Sequence, residues 1–204
     1  MAKLAEILTQ GLGKTNDSSK IWMEMLPLPP RQQEGNTHLD LAVGCIVKRE
    51  STDSGIELAD EAEPWVCFCE MKWDSDIATS VTYDPARNQL ARVIENALCF
   101  QNKQGKYADK VFVTLVTPVF YLDERPKSRL YYYKYEDYMK DPQLLSADLD
   151  NCLLKKATYY PECIDSRINA LKLNWITYDN LIDLMPESPL CIELCEFWRG
   201  NNKQ

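Results

Sequence analysis

The spacing of hydrophobic and polar residues predicts a chain in which strands and helices alternate. Two segments, 39–47 and 64–73, have the apolar composition of β-strands. Between them, residues 50–63 include six acidic residues and no basic residue, so we expect a solvated loop that lets the two strands pair as neighbours. From Pro85 onward the pattern changes to helical spacing, in which the apolar positions are Leu90, Val93, Ile94, Ala97 and Leu98.

The remaining segments complete an α/β pattern. Residues 111–116 are apolar without alternation, which is typical of a strand covered by helices on both faces. For the helix that contains Leu90 to Leu98, we expect Asp84 as the N-cap and Pro85 as the first helical residue. The other expected elements are a helix over 2–8, a tyrosine-rich strand over 130–135, a helix over 143–157 and a segment over 175–178 that leads into another helix. With no internal repeat, we expect one domain over 1–204 with its core at about 20–185.

Composition and charge narrow the functional classes. The 204 residues are 45% hydrophobic and 26% charged, as in an ordinary folded domain. The formal net charge of −8, from 23 basic and 31 acidic residues, argues against a basic protein that coats nucleic acid without regard to sequence. The cysteines lie in apolar runs, which favours reduced thiols. The N-terminal segment has no apolar block, and no apolar run is long enough to span a membrane. We therefore expect a cytoplasmic protein with no membrane partner.

The candidate catalytic residues lie on the two predicted strands 39–47 and 64–73. Side chains alternate between the faces of a strand, so Glu70 and Lys72 project from the face that Phe68 also occupies. On the other strand, Asp40 shares a face with the small residue Ala42, which leaves room beside its carboxylate. If the strands pair, Asp40 approaches Glu70. Two carboxylates suit a hard divalent cation, and a nearby lysine suits phosphodiester hydrolysis.

This arrangement resembles the PD-(D/E)xK nuclease superfamily, which has the restriction-endonuclease-like fold. The resemblance is in Asp40, the sequence Glu70-Met71-Lys72 on a strand, and the helix and buried strand that follow. It implies an αβββαβ core with a central mixed sheet flanked by helices, and Mg²⁺- or Mn²⁺-dependent cleavage of nucleic acid. By position, Asp40, Glu70 and the Met71 carbonyl would bind the metal, and Lys72 would orient the attacking water. Leu39 stands where the motif has proline.

Two further residues fit the resemblance. Gln89, early in the helix, matches a polar residue that many members place beside the site, and Glu24, expected on the first helical segment, is a candidate for an additional acidic ligand. The expected partner is nucleic acid, DNA before RNA, and a homodimer is compatible with this interpretation. The alternative is a nuclease-fold protein without activity that serves as a binding or assembly module, which the acidic charge favours.

Two other groups of residues have a structural and a functional interpretation. His38 is the only histidine, so catalysis by a histidine-activated serine or cysteine would depend on it alone. The segment 127–138 contains five tyrosines, at 131, 132, 133, 135 and 138, together with the basic residues Lys127, Arg129 and Lys134. Such a run either fills both faces of a strand or stacks nucleic-acid bases.

Overall fold

A six-stranded mixed sheet is the centre of the computed structural model, which describes residues 1–79, 87–121, 129–184 and 189–201. The strands follow the order β1-β2-β4-β5-β6, and β3 pairs with β2. Strands β1, β2 and β4 are antiparallel neighbours, whereas β4, β5 and β6 are parallel. Their bounds are β1 Ser19–Met25, β2 Leu39–Lys48, β3 Ile56–Leu58, β4 Trp65–Met71, β5 Lys110–Thr117 and β6 Leu171–Thr177.

Helices cover both faces of the sheet, which confirms the expected α/β class with a mixed sheet. Helices α2 to α5 contribute to the larger apolar core on one face, and α1 and α6 pack on the other face. The described helices are α1 Ala2–Leu8, α2 Gln89–Leu98, a short 3₁₀ helix Val119–Tyr121, α3 Leu130–Lys140, α4 Pro142–Asp150, α5 Ile164–Ile168, α6 Tyr178–Ile182 and α7 Pro189–Asn201. None of the helices in these described ranges is long and apolar enough to cross a membrane.

Strand β4 is buried on both faces because its side chains alternate between the two cores. Val66 and Phe68 lie in the larger core, whereas Trp65 and Cys67 lie in the smaller one. The neighbouring strand β2 approaches closely at Gly44, where a Cβ would meet the carbonyl oxygen of Trp65 at 2.4 Å. The backbone φ there is +138°, which favours glycine. The alternation expected from the sequence is therefore the alternation observed.

Helix α2 begins at Gln89, later than the sequence predicts. Its N-cap is Asn88, whose side chain accepts a hydrogen bond from the Ala91 amide. The predicted cap and first residue, Asp84 and Pro85, lie outside the described residues. Every residue from Leu90 to Leu98 is buried, including charged ones.

A buried ionic network explains how α2 accommodates charge. Glu95 pairs with Arg31 at 2.6 Å and with Arg87, and Glu34 pairs with Arg87 and, at 2.9 Å, with Arg92. All five side chains are at least nine-tenths buried. Such ions are tolerated inside a protein when they are paired and hydrogen-bonded. The network fixes the segment that precedes β2 against α2.

The structure corrects three expected elements. Residues 130–135 are not a strand but belong to helix α3, because Tyr131 and Tyr138, seven positions apart, face the core from one side of a helix. The helix expected over 143–157 ends at Asp150. The acidic segment 50–63 contains the short strand β3, whose three residues are buried against β2.

Candidate active site

Asp40 and Glu70 lie opposite each other at one edge of the sheet. The parallel strands β4, β5 and β6 all end at this edge, and the antiparallel strand β2 begins there. Leu41 pairs with Cys69, so the next position in the same register places Asp40 beside Glu70. Oδ2 of Asp40 accepts a hydrogen bond of 2.7 Å from the Met71 amide. We call this the carboxyl edge of the sheet.

Glu70, Lys72 and Gln89 form a closed triangle of contacts at the carboxyl edge. Nζ of Lys72 lies 2.8 Å from Oε1 of Glu70 and donates a hydrogen bond of 3.0 Å to Oε1 of Gln89. Nε2 of Gln89 donates a hydrogen bond of 2.6 Å to the same Glu70 oxygen. The backbone amide of Ala78 also donates to Oε1 of Gln89, which fixes which end of the amide faces the lysine.

Burial controls the charge of Glu70. The residue is 2% exposed, and its removal from water raises its pKa from 4.5 to about 7. Lys72 and the Gln89 hydrogen bond oppose this rise, while the negative charge of Asp40 adds to it. A carboxylate with this pKa exchanges its proton near neutral pH, and a cation bound beside it would favour the charged form.

The available oxygen atoms fit a hard divalent cation. Within the described ranges, no group donates a hydrogen bond to Oδ1 of Asp40 or to Oε2 of Glu70. Each carboxylate therefore keeps one oxygen for a ligand. No cluster of three or more Asp, Glu, His or Cys side chains suited to a metal occurs among the described residues. Mg²⁺ and Mn²⁺ are commonly held by one or two carboxylates with water and substrate oxygens, so two carboxylates suffice.

The other predicted site residues have different positions. Glu24 is exposed and lies on strand β1, not on a helix as the sequence predicts. Its neighbours Met23 and Met25 pair with Leu41 and Leu39, so Glu24 occupies the register position opposite Asp40. The Met71 carbonyl belongs to the last residue of β4. The roles of Glu24 and Met71 as metal ligands remain predictions. His38 is exposed and precedes β2 by one residue.

The tyrosine run does not form an exposed row of rings. Tyr131 and Tyr138 are buried, and Tyr132 and Tyr135 pack against Trp175. Only Tyr133, among the five tyrosines, is exposed, at 51%. The run therefore serves mainly to pack α3 on the sheet. Lys127, which was expected among these tyrosines, lies outside the described residues.

Sequence reasoning missed Tyr178 beside the site. Burial raises the pKa of its phenol to about 12, and the negative charge of Asp40 contributes to that rise, so the two side chains lie within electrostatic reach. Tyr178 directly follows β6, and the carboxyl ends of parallel strands meet at one edge of a sheet. The sequence places Tyr178 directly after a strand, but it can be recognised as a neighbour of the site only when β6 is known to be parallel to β4 and β5.

Comparisons of the chain with protein-family models, with curated proteins and with solved structures found no match.

Proposed function

We propose that this protein is a divalent-metal-dependent nuclease that hydrolyses phosphodiester bonds in nucleic acid. The observation that supports this most directly is the contact set of Glu70, Lys72 and Gln89 beside Asp40 at the carboxyl edge. A carboxylate paired with a lysine, and a second carboxylate at the neighbouring register position, are groups that metal-assisted hydrolysis uses. DNA is the proposed substrate before RNA.

The element order supports a restriction-endonuclease-like core for this site. Leaving the short strand β3 aside, α1, β1, β2, β4, α2 and β5 follow the order αβββαβ. The first three strands of that series are antiparallel neighbours, and the last two are parallel and joined through α2. Asp40 lies on the second of these strands and Glu70 and Lys72 at the end of the third. These are the positions that the motif resemblance implies.

Asp40 and Glu70 would hold the cation through Oδ1 and Oε2. A Mg²⁺ or Mn²⁺ ion held by these two residues would acidify a coordinated water and offset the charge that develops on the phosphoryl group. The protein's own contribution is positional. The Met71 amide fixes Asp40, and Gln89 fixes Glu70, so neither carboxylate needs to reorganise.

Lys72 would supply the positive charge beside the attacking water. Its side chain is 13% exposed, so the ammonium group is partly removed from bulk water, which strengthens its field. Gln89 accepts a hydrogen bond from Nζ and limits where the lysine can point. The lysine can then hold the water by a hydrogen bond and stabilise the negative charge of the transition state.

A second candidate is a nuclease-fold protein that binds a partner without catalysis. Its support is the net charge of −8, which weakens attraction to a polyanion. The closed triangle also allows it, because Lys72 and Gln89 already satisfy Oε1 of Glu70 as a structural ion pair would. Metal-dependent cleavage distinguishes the two candidates.

The test is a cleavage assay on labelled single-stranded and duplex DNA and RNA, with Mg²⁺ or Mn²⁺ against EDTA. We expect cleavage by the wild type only with metal, and loss of cleavage in Asp40→Asn and Lys72→Met. Asp109→Asn is the matched control, because this exposed carboxylate precedes β5 at the opposite edge of the sheet. Unchanged cleavage in Asp40→Asn, or none by the wild type on any substrate, would contradict the proposal.

A further inference from the structure

Strand β1 is an open edge of the sheet. It pairs with β2 along one side, and no other strand in the described part of the chain pairs with its outer side. Six of its seven residues are exposed or half-buried. The unpaired N–H and C=O groups of such an edge are a template on which another strand can pair. Strand β1 is therefore where a partner could extend the sheet.

Ile21 and Met23 are exposed apolar residues of this edge. They are 42% and 66% exposed, although the residues that they face on β2 belong to the smaller core. A groove of about 500 Å³ lies beside Ile21, between α1 and the side chains of Leu181 and Leu184, and most of its lining residues are apolar. Exposed apolar side chains next to an apolar groove are typical of a protein–protein interface.

The charged residues of β1 match a second copy of the same strand. Lys20 and Glu24 are exposed, and neither forms an ion pair with a described residue. In an antiparallel pair with Trp22 on the two-fold axis, Lys20 lies opposite Glu24 of the second copy. In the same register, Ile21 lies opposite Met23 of the second copy. A two-fold interface repeats both contacts, so two ion pairs and two apolar pairs form.

The opposite signs of these charges favour a second copy over a protected edge. Lysines alone on an edge strand repel a copy of that strand and keep a protein monomeric. Here each lysine faces a glutamate, and pairs of opposite charge at facing positions are favourable. The conformation of Glu24 limits the length of the ladder, because its φ of +52° lies outside the extended range. The backbone pairing therefore covers residues 21–23, and the ion pairs lie at its two ends.

We propose that β1 pairs with β1 of a second copy of this chain and so forms a two-fold dimer with one sheet continuous through both copies. Met23 of each copy packs beside Ile21 of the other, next to the apolar groove, and Glu24 neutralises Lys20. This role of Glu24 differs from the metal ligand that the family resemblance implies. The proposal does not rest on the nuclease function, because the interface contains none of the residues of the closed triangle.

The test is the oligomeric state, measured by sedimentation velocity over a concentration series in EDTA. The wild type should sediment as a dimer that dissociates on dilution. Lys20→Glu turns both attractive pairs into repulsive ones and should raise the dimer dissociation constant at least about tenfold. The double variant Lys20→Glu/Glu24→Lys restores opposite charges with their positions exchanged, so its dissociation constant should return close to the wild-type value. Lys172→Glu is the matched control, because it makes the same charge change at an exposed position of the opposite edge strand, β6.

A second variant tests the apolar part of the interface. Met23→Asp places a charge where the second copy would cover it, and it should also raise the dissociation constant at least about tenfold. Weaker dimers in Lys20→Glu and Met23→Asp, with recovery in the double variant and no change in Lys172→Glu, support the proposal whether or not the protein cleaves nucleic acid. A wild type that stays monomeric at every concentration overturns it. A dimer that both single variants leave unchanged, or that the double variant does not recover, overturns it as well.

Discussion

Replacing Glu70 with glutamine should make the protein more stable at alkaline pH. The folded protein holds the Glu70 proton up to a pKa of about 7, whereas a carboxyl group in the unfolded chain releases it near 4.5. Between these values the folded state binds more protons than the unfolded state, so this group makes stability fall as pH rises. The difference corresponds to about 3 kcal/mol of unfolding free energy.

Glutamine imitates the protonated carboxyl group and cannot ionise. At pH 5 the folded wild type holds the proton and the unfolded chain has released only part of it, so wild type and Glu70→Gln should differ by less than about 1 kcal/mol. Above pH 8 the variant should be more stable by about 3 kcal/mol, which corresponds to a Tm difference of about 6–12 °C for a chain of this size. A residue whose charge destabilises the fold is typical of a functional site.

The assay is thermal unfolding in EDTA at pH 5, 6, 7 and 8, with Asp109→Asn as the control for loss of an exposed carboxylate. The Tm difference between Glu70→Gln and wild type should grow with pH, and at pH 8 it should exceed the Tm difference between Asp109→Asn and wild type. A Tm difference for Glu70→Gln that is the same at pH 5 and pH 8, or a variant less stable than wild type at pH 8, would refute the reasoning.

Three other substitutions test the scaffold. Glu95→Gln leaves buried guanidinium groups short of a charge partner, so urea unfolding should show a loss of about 3–5 kcal/mol. Gly44→Ala places a Cβ against the Trp65 carbonyl at a positive φ, and its loss of about 1–3 kcal/mol or more should appear in the same assay. Asp76→Ala removes a carboxylate that accepts hydrogen bonds from the first amides of α3, so Tm should fall by an amount equivalent to about 0.5–2 kcal/mol. Unchanged unfolding midpoints would contradict each prediction.

Much of the site geometry follows from sequence because strand periodicity is local. The alternation of β4 places Glu70 and Lys72 on one face, and the pairing of β2 with β4 brings Asp40 to the same edge. Gln89 was expected early in the following helix and is its first residue. These expectations depend on neighbours in the chain and on one strand pair, which the pattern of apolar residues can indicate.

The features that the sequence did not predict depend on contacts between segments distant in the chain, which a local pattern of apolar residues cannot indicate. Tyrosine-rich segments favour strands, yet 130–135 is helical: Tyr131 packs into the core, and Asp76, more than fifty positions away, accepts hydrogen bonds from the first amides of the helix. The charged residues Arg92 and Glu95 of α2 are buried because they pair with Glu34 and Arg31, which lie before β2 in the chain. Glu24 lies on an edge strand whose side chains are mostly exposed, so its segment lacks the apolar alternation of a buried strand.

The central claim is that Asp40 and Glu70 together hold one divalent cation. Calorimetric titration of Mn²⁺ into the wild type at pH 8, where Glu70 is ionised, tests it most directly. The wild type and Asp109→Asn should each bind one ion, and Asp40→Asn and Glu70→Gln should bind it at least about tenfold more weakly, a loss of about 1.4 kcal/mol. Equal Mn²⁺ affinity in the wild type and Asp40→Asn would contradict the claim.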